Sequence, residues 1–239
     1  AWHARHGQPA VQRIIFDQLL PYPRRLSKLM RMLSMGKRSG LADLAHRFGI
    51  LRWLNATLDG ANGLVATMPR RFLRDRLYGM GFRREISGGP TRWVRPRDAS
   101  APTTGPSVLY FIGCGTNFQV PGQGEAAMHV LSAAGCELTV VENVCCGLPP
   151  YSYGDRAAAR GLATQNLGLL ASARCDYIVT ECGSCSAFIK KWPALLAGEA
   201  GETLARQVAD QTSDFSELLP QLRLPRGDAT DGLQVTYHD

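Results

Sequence analysis

The placement of the cysteines constrains this chain more than any other feature. All seven lie between Cys114 and Cys185. Five form a pattern: Cys114, then Cys145-Cys146-Gly147 after thirty intervening residues, then Cys182-Gly-Ser-Cys185 after thirty-four more. Clustered thiolates are soft ligands, suited to zinc, Cu(I) or iron–sulfur clusters. Adjacent Cys145 and Cys146 do not bridge each other without strain. The sequence has no secretory signal, and in a reducing compartment such clusters bind metal or act catalytically.

The residues around the cysteines predict the frame that carries them. Ser107–Ile112 (SVLYFI) is a continuous apolar run of the kind that forms a buried parallel strand. Glu137–Glu142 (ELTVVE) and Asp176–Thr180 (DYIVT) predict two more strands. Helices are expected between and after them at 122–134, capped by Gly135, at 155–174, capped by Asp155, and from Ser186, interrupted by Pro193. This βαβ alternation predicts an α/β fold with a Rossmann-like parallel sheet.

In such a sheet, ligand sites lie outside the carboxyl ends of the strands. Cys114 follows the first strand, Cys145 and Cys146 the second, and Cys182 and Cys185 the third, so all five are expected at one edge. Cys136 and Cys175 precede their strands, which puts them at the opposite edge as small hydrophobes. Gly113, Gly115, Gly147 and Gly183 beside the five let backbone approach a bulky inorganic group. Cys182 and Cys185 open a helix, whose positive end favours thiolates. Thr116 and Asn117 are candidate hydrogen-bonding residues there, Tyr151 and Tyr153 candidate pocket walls, and His129 reads as structural.

The charge is divided. Residues 1–100 hold 19 basic and 6 acidic side chains, residues 101–239 hold 8 and 14, and the whole is +7. The basic part predicts helices at 9–20, at 24–35 with Leu26, Leu29, Met30 and Leu33 on one face, at 41–58 with Leu44, Phe48, Leu51 and Leu54 inward, and at 70–78. Four segments follow: a basic helical region 1–80, a linker 81–106 in which Trp93 and Val94 form a short strand or packing anchor, a cysteine-rich α/β domain 107–231, and the start of a second repeat at 232–239. Within the α/β domain, 197–222 reads as surface helix. No apolar run reaches membrane-spanning length. There is no G-x-G-x-x-G, since 113–118 reads GCGTNF, and no Walker A run, so nucleotide binding is not expected.

The stretches FIGCGTN (111–117), NVCCGLPPYSYGD (143–155) and TECGSCSAFIKKW (180–192) resemble the cysteine-rich CCG domain. That domain occurs in heterodisulfide reductase, in the glycolate oxidase iron–sulfur subunit and in lactate-utilisation iron–sulfur proteins. The ending VTYHD (235–239) is similar to the start of a second copy, which, with no upstream ferredoxin cysteine set, makes the chain read as a fragment. The resemblance implies an iron–sulfur electron-transfer subunit of an oxidoreductase, without activity on its own. It would pass electrons from a flavoprotein that oxidises a 2-hydroxy acid to a quinone or disulfide acceptor. It implies a [4Fe–4S] cluster, noncubane in heterodisulfide reductase, held by Cys114, Cys145, Cys146, Cys182 and Cys185.

The expected partners are redox subunits, with the basic helices docking an acidic subunit or a membrane surface; nucleic acid is not expected. The location implied is cytoplasmic, peripheral on the inner face of the membrane. Two other readings stand beside this one. One is a structural zinc module using four of the five thiolates, with a basic binding surface. The other is a thiol–disulfide enzyme built on Cys182 and Cys185, which explains less of the pattern.

Overall fold

The computed structural model describes residues 7–54, 59–60, 62, 67–86, 90–97 and 105–224. The proposed second repeat at 232–239, with His238, lies outside them. A six-stranded sheet has the order β1-β2-β4-β3-β5-β6. The strands are β1 (Arg83–Glu85), β2 (Arg92–Arg95), β3 (Ser107–Tyr110), β4 (Glu137–Val141), β5 (Tyr177–Thr180) and β6 (Thr212–Asp214). β4, β3, β5 and β6 run parallel, and β2 adds to β4 antiparallel, in the register Trp93↔Val140.

The three predicted cysteine-bearing strands form the centre of this sheet. Val108–Ile112 are almost wholly buried, as an apolar run covered on both faces must be. One face packs against the helices Arg156–Ala171, Gly183–Ile189 and Glu202–Gln211, with Leu162, Leu167, Phe188 and Trp192 in its core. The other packs against Pro121–Ala133 and the segment from Leu73 to Phe82, with Met128, Leu131, Leu73 and Leu77. Each such buried side chain contributes about 1.5–3 kcal/mol.

Four expectations need correction. The short strand expected at Trp93 and Val94 is present, paired with β4, with Trp93 also packed on Tyr78, but it extends over 92–95 and recruits 83–85 as a further strand, so this part of the expected linker belongs to the sheet. The sheet is therefore mixed. Residues 197–222 are not merely surface helix: Ala205, Val208 and Leu218 are buried, and 212–214 supply β6, parallel to β5. The third basic helix is broken into Leu41–Arg47 and Ile50–Leu54, because Gly49 turns left-handed at φ 71°. Leu44 and Phe48 do not point inward; both are exposed, Phe48 by 71%. On the helix Pro23–Arg38, Leu26, Leu29 and Met30 are half-buried but Leu33 is exposed, and Ser34 is the buried residue, donating to the Pro69 carbonyl at 3.0 Å.

The first helix, Ala10–Ile14, continues into a π-helical turn Ile15–Leu19 that seats Phe16 and Leu20 in the core beside the cysteines. Among the described residues, no helix is long and apolar enough to cross a membrane.

Candidate metal centre

Three strand exits build the site. β3 ends one turn before Cys114, β4 runs through Asn143 and Val144 to Cys145 and Cys146, and β5 leads through Glu181 to Cys182, the N-cap of Gly183–Ile189. The five thiols form one continuous set of contacts. Cys114 donates to Cys145, Cys145 to Cys146, and Cys185 reaches both Cys146 and Cys182. Cys145, Cys146 and Cys185 are buried; Cys114 and Cys182 are half-buried. The sulfurs are strung one against the next, and among the described residues no group of three or more His, Cys, Asp or Glu surrounds a single point as for one metal ion.

Main-chain N–H groups aim at four of the sulfurs: Gly115 at Cys114, Gly147 at Cys145, Leu148 at Cys146, and both Ser184 and Cys185 at Cys182. Each favours the thiolate. At Cys182 the thiol of Cys185 contributes most and these N–H groups add to it, bringing the pKa down to about 6 against the opposing effect of burial. Cys146 is held well below its ordinary value by Cys145 and Cys185. Contact with Cys145, and then burial, pushes the Cys114 thiol up, and contacts with Cys146 and Cys182 push up Cys185. At Cys145, donation from Cys114 is outweighed by donation to Cys146 and burial, leaving it at about 12. A protein that already stabilises negative charge on part of a buried thiol set suits a cationic inorganic group.

Two glycines shape the cradle. A Cβ on Gly113 would stand 3.4 Å from Cys185 Sγ, so its bare backbone lies directly on that sulfur. Gly147 has φ +99°, and a Cβ there would meet the Ala159 carbonyl at 3.1 Å and Phe188 at 3.2 Å. The soft donor set, the inward N–H groups and this cradle fit an iron–sulfur cluster, and the fit follows from the residues themselves.

The supports of the site carry no local sequence pattern. Buried Asn143 ties two strand exits together: Nδ2 donates to Ile112 O at 2.9 Å and Val144 O at 3.1 Å, while Oδ1 accepts from Arg74 Nη2 at 2.8 Å. Arg74 Nη1 also donates to Val141 O at 2.8 Å, and Nη2 to Asn143 O at 3.0 Å. Burial pulls the Arg74 guanidinium down to about 10, opposed by Glu142, so it stays charged at neutral pH. Asn166 clamps the backbone at Val144 and Cys145, and Trp192 Nε1–H donates to the Cys146 carbonyl at 3.1 Å. The Glu181 carboxylate, next to Cys182, accepts from the hydroxyls of Tyr110 and Thr116. Buried asparagine, tryptophan and arginine are recognisable only once their carbonyl partners are located.

The other candidates divide. Thr116 is committed to Glu181, and Asn117 Oδ1 accepts from Arg74 N at 3.1 Å. Tyr151 packs on Phe188 behind the cysteine pair, whereas Tyr153 meets Phe16 at a tilt, ring centres 6.0 Å apart. His129 is exposed. Cys136 is buried in the core against the far face, where burial raises its thiol to about 11, and Cys175 sits just before β5; neither reaches the five.

Residues 108–190 match the model of the cysteine-rich domain, CCG. Residues 7–65 match that of the glycolate oxidase iron–sulfur subunit, linker region. The chain is 24% identical to the probable glycolate oxidase iron–sulfur subunit of Bacillus subtilis, over 98% of this chain and 50% of that protein. It is 31% identical to lactate utilization protein A of Geobacillus thermodenitrificans, over 55% of each. An uncharacterized iron–sulfur protein of Methanocaldococcus jannaschii is 29% identical over 55% of this chain and 24% of its own. The chain thus spans about half the length of the first two relatives. No solved structure matches it. With its thiols gathered at one sheet edge and its basic helices packed beside them, the chain carries a CCG cysteine-rich domain joined to a linker region of the glycolate oxidase iron–sulfur subunit type.

Proposed function

We propose that this chain is the electron-transferring part of an iron–sulfur subunit in a 2-hydroxy acid oxidising system of the glycolate or lactate type. The observation that carries the reading is the joining of five thiols from three strands into one contact set with backbone N–H groups aimed at four of them. The names of the relatives support the hydroxy-acid context.

Cys114, Cys145, Cys146, Cys182 and Cys185 would hold a [4Fe–4S] cluster. When bound, the cluster supplies one-electron storage and release. The rest falls to the chain. The N–H donors at Gly115, Gly147, Leu148 and Ser184 would offset negative charge on the sulfurs they face. The apolar wall of Phe16, Leu20, Phe188 and Trp192 packs around the three buried thiols, Cys145, Cys146 and Cys185. Asn143, Asn166 and Trp192 fix the three loops, so little rearrangement accompanies a change of charge.

Electrons would arrive from a flavoprotein that takes two from the alcohol carbon of the substrate, and leave to a quinone. The basic helices 10–54 would dock the partner or the anionic membrane surface carrying the acceptor. They present exposed Met32, Met35, Phe48 and Trp53 among nine cations and two acids.

Protein prepared without oxygen and assayed for iron, acid-labile sulfide and EPR signals tests the reading. Iron and sulfide in near-equal amounts, with a signal appearing or vanishing on reduction, is the expected result. Zinc alone, without sulfide, would replace it with the structural zinc reading.

A further inference from the structure

Beyond the thiols, the carboxyl edge of the sheet opens into a second space. Pro23, Arg24, Ser27, Lys28 and Arg31 of the helix Pro23–Arg38 face Arg74 and Glu142 across a cleft of about 300 Å³. Pro23, Ser27 and Arg74 also wall a narrower space of about 30 Å³ that ends on Cys114, Asn117 and Cys145. That space has room for about one water molecule. Arg74 thus stands between a basic cleft and the cysteine centre.

The cleft has the features of an anion site. Four cations line it against one carboxylate. Arg31 is engaged with Asp75 at 2.6 Å, but Arg24 and Lys28 have no acidic partner among the described residues. Arg74 is fixed by the Val141 carbonyl, the Asn143 carbonyl and Asn143 Oδ1, so its guanidinium is oriented before any ligand arrives. A held guanidinium with long-stemmed cations opposite suits a planar or tetrahedral oxyanion. With Arg31 paired to Asp75 and Glu142 in the lining, the cleft keeps an excess of two positive charges, which a dianion offsets. The volume reaches the lower limit for small-molecule sites.

We propose that this cleft binds a small dianionic oxyanion, a dicarboxylate or a phosphate, between Arg24, Lys28, Arg31 and Arg74, beside the cysteine centre. The site is distinct from whatever the cysteines hold, and its occupancy is read without reference to electron transfer.

The test is calorimetric titration of the whole protein, at about 0.15 M ionic strength, where the Debye length is about 8 Å, with succinate and with inorganic phosphate in separate experiments. At least one is expected to bind saturably at one per chain. Succinate alone assigns a dicarboxylate site, and phosphate alone a phosphate site. The double variant R24Q/K28Q alters only exposed side chains and should weaken binding about tenfold or more by removing two charge-assisted contacts. The variant R83Q/R84Q removes the same charge from the exposed strand β1 and should leave affinity within about twofold, because distant charges are screened. Failure of both anions to saturate, unchanged binding in R24Q/K28Q, or an equal loss in R83Q/R84Q would each overturn the proposal.

Discussion

Asn166 and Cys145 are joined through the main chain: Asn166 Nδ2 donates to the Cys145 carbonyl at 3.0 Å, while its Oδ1 accepts from Val144 N at 2.9 Å. Asn166 is wholly buried, so water cannot replace either bond. The substitution Asn166→Leu leaves two buried backbone groups unpaired, at about 1–3 kcal/mol each. For a chain of this size the melting temperature should fall by roughly 5–15 °C. Thermal unfolding by circular dichroism measures it; an unchanged midpoint would contradict the clamp.

The cysteines should separate five to two. Each of Cys114→Ala, Cys145→Ala, Cys146→Ala, Cys182→Ala and Cys185→Ala is expected to lose most of the iron and sulfide bound by anaerobically prepared protein. Cys136→Ala and Cys175→Ala, in contact with none of the five, should retain it. Iron loss in Cys175→Ala with retention in Cys114→Ala would reverse the assignment.

In metal-free protein, Cys182 should titrate near pH 6 rather than near 9. Between those values the folded chain binds fewer protons at Cys182 than the unfolded chain, so stability rises with pH across the window. The contribution is complete above about pH 9 and is lost as pH falls through about 6. Alkylation by iodoacetamide, followed at Cys182 by mass spectrometry, should show a rate midpoint near pH 6. A midpoint at 8.5 or above would mean that the N–H groups and Cys185 do not act on it.

An added methyl should be costly at Gly147 and near neutral at Gly115. At Gly147 the left-handed backbone, with the Ala159 carbonyl 3.1 Å from the new Cβ, makes Gly147→Ala cost about 1–3 kcal/mol. At Gly115 the same methyl meets nothing within 4 Å. Gly115→Ala should therefore leave both stability and iron content near those of the parent chain. Urea unfolding of the two variants side by side makes the comparison.

The exposed aromatics of the basic helices should matter for assembly and not for the centre. Phe48→Ser with Trp53→Ser removes two side chains exposed by 71% and 83%. Iron content is expected to hold while affinity for the partner subunit or for anionic vesicles drops. Equal affinity for both would remove these helices from the docking surface.

Much of the fold was legible in the sequence because it rests on local signals. Uninterrupted apolar runs such as 107–112 announce buried strands, and the βαβ order then places Cys114, Cys145, Cys146, Cys182 and Cys185 at one sheet edge and Cys136 and Cys175 away from it. Gly135 and Gly49 illustrate the limits of such signals. Gly135 ended its helix where expected, whereas Gly49, inside an apparent helical stripe, turned left-handed and broke it.

The strands at 83–85 and 212–214 carry no apolar run, and 92–95 offers only Trp93 and Val94 as a signal; β2 is a strand because it pairs along β4, β1 because it pairs along β2, and β6 because it pairs along β5. The amino-acid sequence by itself determined which thiols converge, since covalent order ties each to the carboxyl end of a strand. Only the tertiary structure decided what holds them there. Arg74, Asn143, Asn166 and Trp192 act across 21 to 69 residues of chain, and their role comes from meeting carbonyls that no neighbouring backbone can satisfy.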